Sequence, residues 1–194
     1  MKITLPDADI EYIEHFYSQQ AAADLFTDLQ HNLRWRQDSI TLFGKHTHLP
    51  RLQAWYGNKN LSYCYSSMCL IAKPWTASLL DVKLKVSKYC QQEFNAVLAN
   101  YYRHEKDSVA WHSDNEPELG TAPTIASLSL GASREFQLKH KASGLKKSLI
   151  LSSGSLLIMR HETQQYWQHC LPKRAHCIAP RINLSFRSIM GQGR

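Results

Sequence analysis

One set of three residues restricts the fold more than any other feature of the chain. His112 and Asp114 stand two apart in Trp111-His112-Ser113-Asp114-Asn115, and His169 follows far downstream in Trp167-Gln168-His169-Cys170-Leu171-Pro172. Residues i and i+2 of a strand point to the same side, so His112 and Asp114 can grip one ion together if the segment is extended. His169 must then arrive from a different strand, which a sheet folded back on itself permits. Two imidazoles and a carboxylate fill one face of an octahedral metal and leave the other face open to substrate and dioxygen, a donor set that suits non-haem Fe(II). Alone the pattern is weak, because an exposed His and Asp beside a turn produce it too.

A second pattern points the same way. Arg181, Asn183, Ser185 and Arg187 fall on one face of an alternating segment, and Ile182, Leu184 and Phe186 on the other. A half-buried strand with a solvated outer face gives this alternation. Two arginines on one face are also placed to hold a dicarboxylate at both ends. The guanidinium fork bonds carboxylates bidentately and keeps its charge when buried. A dicarboxylate near a three-ligand iron suggests 2-oxoglutarate.

The rest of the chain bounds the fold. At 194 residues and 43% hydrophobic content it is most simply one domain, 1–194, with a core of its own. Residues 21–33 read as a helix, with Leu25, Leu29 and Leu33 at i, i+4 spacing. Residues 76–99 read as a longer helix capped by Thr76, its apolar stripe made by Leu79, Val82, Val86 and either Tyr89 or Cys90. From about residue 99 the chain turns strand-like, in short runs at 124–130, 134–140, 147–151, 155–160, 166–170 and 181–187. Gly144 marks a hairpin whose lysine-rich rim either meets phosphate or is simply solvated. The expected class is mixed α/β, mainly β: a double-sheet jelly roll with N-terminal helices packed outside. An N-terminal extension and lid would occupy about 1–75, and a helix plus the jelly-roll core about 76–194.

Composition excludes some classes. No apolar run approaches the ~20 residues of a membrane helix, and the N-terminus lacks the apolar stretch of a secretory signal. Five cysteines with no CxxC pair read as reduced thiols of an intracellular protein, cytoplasmic if bacterial and nuclear if eukaryotic. A net charge of +7 favours a polyanionic partner.

Seven collinear segments carry a family resemblance: PRLQAWYGN (50–58), FNAVLANYYR (94–103), WHSDNEPELG (111–120), IASLSLGASREF (125–136), GSLLIM (154–159), WQHCLP (167–172) and RINLSFR (181–187). With them the chain resembles the AlkB family of Fe(II)- and 2-oxoglutarate-dependent nucleic-acid dealkylases, most nearly the homologues that repair duplex DNA. The resemblance implies a double-stranded β-helix with a nucleotide-recognition lid. It implies Fe(II) on His112, Asp114 and His169. It implies 2-oxoglutarate held by Asn100, Tyr101, Tyr102, Arg181, Asn183, Ser185 and Arg187, with one arginine on each carboxylate. Tyr102 would otherwise read as core packing. Phe43 resembles the wedge that fills the stack when a base is flipped out, though a Phe in a short apolar run is more often core. Gly44 would form the finger's tip and Lys45 would meet phosphate. Tyr63, Cys64 and Tyr65 match the base pocket, with Asn115 and Glu116 at positions where relatives carry acids. Asn115 departs from them in charge. The 139–148 segment is short and Lys173–His176 less basic than in the nearest homologues, which weakens the grip on an opposite strand. Arg51 and Arg134 could meet DNA backbone or structural carboxylates.

The implied function is oxidative demethylation of bases such as 1-methyladenine and 3-methylcytosine in DNA. Iron, 2-oxoglutarate and O2 would be consumed, and succinate and formaldehyde released. The expected partner is alkylated DNA, duplex favoured, acted on by a monomer. The alternatives are an RNA demethylase or protein hydroxylase on the same scaffold, or a non-catalytic nucleic-acid-binding module.

Overall fold

From Ala96 onward the chain crosses back and forth between two sheets. The structure, a computed structural model, describes residues 1–42, 45–59, 61–65, 68–176 and 179–190; the side chains of residues 42, 45, 62–65 and 68–70 fall outside that description. The elements run β1 (Lys2–Ile3), β2 (Asp9–Ile13), α1 (Gln19–Asn32), β3 (Ser39–Leu42), β4 (Lys45–His48), β5 (Leu52–Gly57), β6 (Ser62–Tyr65), β7 (Met68–Ile71) and α2 (Ala77–Cys90). They continue with β8 (Ala96–Tyr102), β9 (Val109–His112), β10 (Ile125–Gly131), β11 (Arg134–His140), β12 (Lys146–Leu151), β13 (Leu156–Arg160), α3 (Thr163–Tyr166), β14 (Trp167–Leu171) and β15 (Arg181–Arg187).

The major sheet has the order β1-β2-β13-β10-β15-β8-β5 and the minor sheet β12-β11-β14-β9. All the ladders pair antiparallel. Apart from the β11–β12 hairpin, which lies wholly in the minor sheet, strands β8 to β15 alternate between the sheets, which makes a jelly roll. The hairpins β3–β4 and β6–β7 stand apart as two small sheets.

Period-two alternation splits the core into two layers. Ala126, Leu128, Leu130, Leu184, Phe186, Val97 and Ala99 leave the major sheet on one side and pack beneath α1 and α2. Leu98, Ile125, Leu157 and Met159 leave on the other side and meet Phe136 and Leu138 of the minor sheet. Each fully buried Val, Leu, Ile, Phe or Met side chain among them contributes about 1.5–3 kcal/mol. Both helices start on hydroxyl caps: Ser18 accepts from the amide of Ala21, and Thr76 from that of Leu79. On α2 the buried stripe is Leu79, Val82 and Val86. Cys90, which packs on the core, completes it rather than exposed Tyr89.

The expected helix over 76–99 is too long. It ends at Cys90, where Gln91 takes a left-handed conformation (φ 52°) as its C-cap. Residues 96–102 then form an interior strand of the major sheet, between β15 and β5. The N-terminal strands β1 and β2 had no sequence expectation. Gly144, with φ 73°, lies in the β11–β12 connection as expected.

Candidate metal centre and cofactor cavity

Strand β15 decides between the two readings of its alternation. Its polar face is not solvated: Arg181, Asn183, Ser185 and Arg187 are all buried, at 2%, 6%, 9% and 4% exposure. That face lines a cavity of about 470 Å³ between the two sheets, within the usual range for a small-ligand site. A strand with both faces buried and four polar side chains on one of them is costly unless those groups have partners.

Each of the four has at least one partner in the protein. Asn183 donates to Ser127 Oγ (2.7 Å) and to the Leu128 carbonyl, and Ser185 donates to Asn183 Oδ1. Arg181 donates through Nη2 to Ser129 Oγ and lies over the Tyr102 ring at 5.2 Å. Its Nε is buried and has no hydrogen-bond partner among the described residues. Burial, with Arg134 near by, pulls its pKa down to about 10. The site therefore holds a desolvated cation facing a cavity, which an anionic ligand would complete.

At the other end of the strand Arg187 donates to Asp114 Oδ1 at 2.6 Å, both side chains being buried. Asp114 Oδ2 lies 3.7 Å from His169 Nε2. The His112 and His169 rings sit edge to face, 4.2 Å between centroids, and Phe136 stacks on His169. One ligand atom from each of His112, Asp114 and His169 lies within 4.8 Å of the others. His112 Nδ1 lies 2.9 Å from the Ala110 carbonyl. A carbonyl can only accept, so Nδ1 carries the proton and Nε2 is left for a metal. Burial, then the neighbouring His112, push the pKa of His169 down to about 3, so its ring is neutral. Burial alone would raise the pKa of Asp114, but Arg187, His169 and His112 together hold it below the usual carboxylate range. A neutral imidazole on His169 and an ionised carboxylate on Asp114 are protonation states that a divalent metal requires of such ligands.

The triad does not sit quite as the sequence suggested. His112 ends β9 and pairs with His169 on β14, and Asp114 lies two residues past the strand. Cavity-lining residues also include Asn100, Tyr102 and Glu116. Asn100 accepts from Arg51 Nε and Gln53 Nε2. Tyr101 is a correction: β8 alternation turns it to the helix side, where its hydroxyl accepts from Gln30 and its ring meets Trp35. Asn115 is exposed and does not line the cavity, whereas Glu116 does and keeps one buried oxygen without a partner among the described residues. Arg51 and Arg134 are also corrected. Arg51 binds Asn100, and Arg134 donates to the Asp107 and Pro172 carbonyls. Phe43 and Gly44 lie outside the described residues. For Lys45, Tyr63, Cys64 and Tyr65 only the strand positions are described, in β4 and β6. Ser127 and Ser129 went unnoticed, although Ser-Leu-Ser already showed the inward period of two. The described cysteines, Cys90 and Cys170, are free thiols with pKa values pushed up to about 11 by burial.

Residues 9–187 match the 2OG-Fe(II) oxygenase superfamily, the class that this fold and donor set define. The chain is 40% identical to alkB homolog 3 of Bos taurus over 189 residues, 90% of this chain and 64% of that protein. It is 37% identical to the DNA oxidative demethylase ALKBH2 of Homo sapiens, over 90% of this chain and 71% of that one. It therefore belongs to the AlkB family of that superfamily. The chain spans between 52% and 66% of the first three relatives' own length. A solved structure of OsALKBH1 superimposes with a TM-score of 0.62 at 14% identity, covering 96% of this chain and 100% of that one. These two share the fold.

Proposed function

We propose that this protein removes N-alkyl groups oxidatively from DNA bases. The observation that carries the reading is the buried polar face of β15, which sets Arg181 and Arg187 in one cavity with His112, Asp114 and His169. The donor set fits Fe(II), and the orphaned Arg181 Nε fits a carboxylate of 2-oxoglutarate; bound together, they supply oxidising chemistry from O2. His112, Asp114 and His169 hold the metal. Arg187, beside Asp114, takes the carboxylate end nearest the metal and offsets the charge gathered there. Arg181 takes the far carboxylate, with Tyr102 and Ser129 fixing its fork. Asn183 and Ser185 line the floor between the arginines. Apolar Leu98, Ile125, Phe136 and Met159 exclude water from the reacting centre. Glu116 at the cavity wall meets the exocyclic nitrogen or positive charge of the damaged base. The base reaches this depth flipped out of the stack.

The DNA oxidative demethylases among the relatives support this substrate class. A duplex preference, a monomeric state and an intracellular setting belong to the same proposal. Among the described residues no helix is long and apolar enough to cross a membrane. The test is mass spectrometry of 1-methyladenine and 3-methylcytosine oligonucleotides, single- and double-stranded, after incubation with iron, ascorbate and 2-oxoglutarate. A loss of one methyl mass, dependent on 2-oxoglutarate, is expected on DNA. Turnover of methylated RNA with none on DNA would favour the RNA alternative.

A further inference from the structure

Asp114 has an unusual problem for a metal ligand. It lies past the end of β9, so no ladder partner awaits its amide, and it is 4% exposed. The partner comes from elsewhere: Gln164 Oε1 accepts from the Asp114 amide at 2.9 Å. Gln164 is itself 1% exposed, and its Nε2 donates to Met159 Sδ (3.4 Å), a residue of the cavity wall. This amide side chain therefore spans the space between the cavity wall and the backbone of the metal aspartate.

The element that carries Gln164 is short but heavily fastened. Thr163 Oγ1 donates to the Arg160 carbonyl and accepts from the Asp9 amide of β2. Lys141 donates through Nζ to the Gln164 carbonyl and through its amide to that of Tyr166. Ser113 Oγ, beside Asp114, donates to the Trp167 carbonyl. The 113–114 segment is thus pinned twice, by Asp114 to α3 and by Ser113 to the first residue of β14.

We propose that Gln164 is a positioning residue for the metal centre, holding the Asp114 carboxylate in register with His112 and His169 through the Asp114 amide. It touches neither metal nor substrate. The ladder explains why a side chain is needed: β9 ends at His112, two residues short of Asp114. This inference rests on the metal reading of the triad, and the experiment separates the two.

The probe is Co(II), titrated into anaerobic protein and followed by its visible absorption. Wild-type protein should bind one equivalent, and His112→Ala should not. Absence of wild-type binding would sink the metal reading itself. Gln164→Met keeps the volume and removes the acceptor. It should weaken Co(II) binding by about 10–100-fold, the usual effect of removing an outer partner of a ligand, and change the shape of the absorption bands. A side chain with only a packing role would lower thermal stability and leave affinity and bands as in wild type, which would overturn the proposal. If Gln164→Met does not fold, Gln164→Glu decides, because it keeps an acceptor oxygen. It should bind Co(II) at least as tightly as wild type, and a tenfold loss there would overturn the proposal.

Discussion

Arg181 illustrates a residue kept at the expense of stability. Its guanidinium is almost fully buried, one nitrogen is without a partner among the described residues, and burial pulls its pKa down to about 10. Arg181 also lines the cavity, where an anionic ligand would complete its pairing. On the proposed reading, Arg181→Met should do two opposite things. In the absence of cofactor it should stabilise the protein by roughly 1 kcal/mol or more, about 2–4 °C in Tm, because an incompletely paired buried charge is removed. It should also raise the 2-oxoglutarate requirement, since truncating one partner of a buried charge pair costs about 2–5 kcal/mol, roughly 30-fold or more. Calorimetry and a titration of 2-oxoglutarate check both. A lower Tm with an unchanged cofactor requirement would make Arg181 a structural residue.

At the scale of elements, the β8–β9 connection is closed by Asp107, whose carboxylate accepts from the Arg103 amide (2.9 Å), Nε (2.8 Å) and Nη2 (3.1 Å). Burial works against this carboxylate's charge, but the Arg103 bonds outweigh it and hold the pKa below the ordinary 3.8. A depressed folded-state pKa gives stability that is fully present above 3.8 and is lost as pH falls through the lower folded value. Asp107→Asn should cost about 1.5–3 kcal/mol at neutral pH. The gap in Tm from wild type should hold down to about pH 5 and narrow below about pH 4. A gap that stays constant to the acid limit would rule out this account. The legible elements were those with a strict period. The expected strand 134–140 matches β11, and 181–187 matches β15, because each alternates cleanly. The α2 boundary was illegible because Phe94-Asn95-Ala96-Val97-Leu98 extends an apolar pattern that either a helix or a doubly buried strand can use. Tyr101 was misplaced for a simpler reason. Its neighbours Asn100 and Tyr102 face the cavity, and alternation sends it the other way. Gln164 could not be found from sequence, since its partner is fifty residues away and is a backbone amide.

At the scale of the whole molecule, two hairpins belong to neither core sheet of the jelly roll. The hairpin β3–β4 contributes Ile40 to the cavity lining, so this appendage borders the path a base must take. Phe43 falls between its strands, outside the described residues. On the proposed reading Phe43 enters the stack in place of the flipped base, since wedging side chains between base steps is how such gaps are filled. A stack needs filling in a duplex and not in a free strand. Phe43→Ala should therefore lower demethylation of a methylated duplex by at least ~10-fold, in line with the few kcal/mol that unstacking costs. On the same methylated single strand the loss should be within about twofold. The Tm should change little, because on this reading Phe43 serves the DNA and not the two core layers. Paired rate measurements on the two substrates, with a melting curve of the variant, test all three statements. Equal losses on both strands together with a large fall in Tm would return Phe43 to the core and remove the support for a duplex preference.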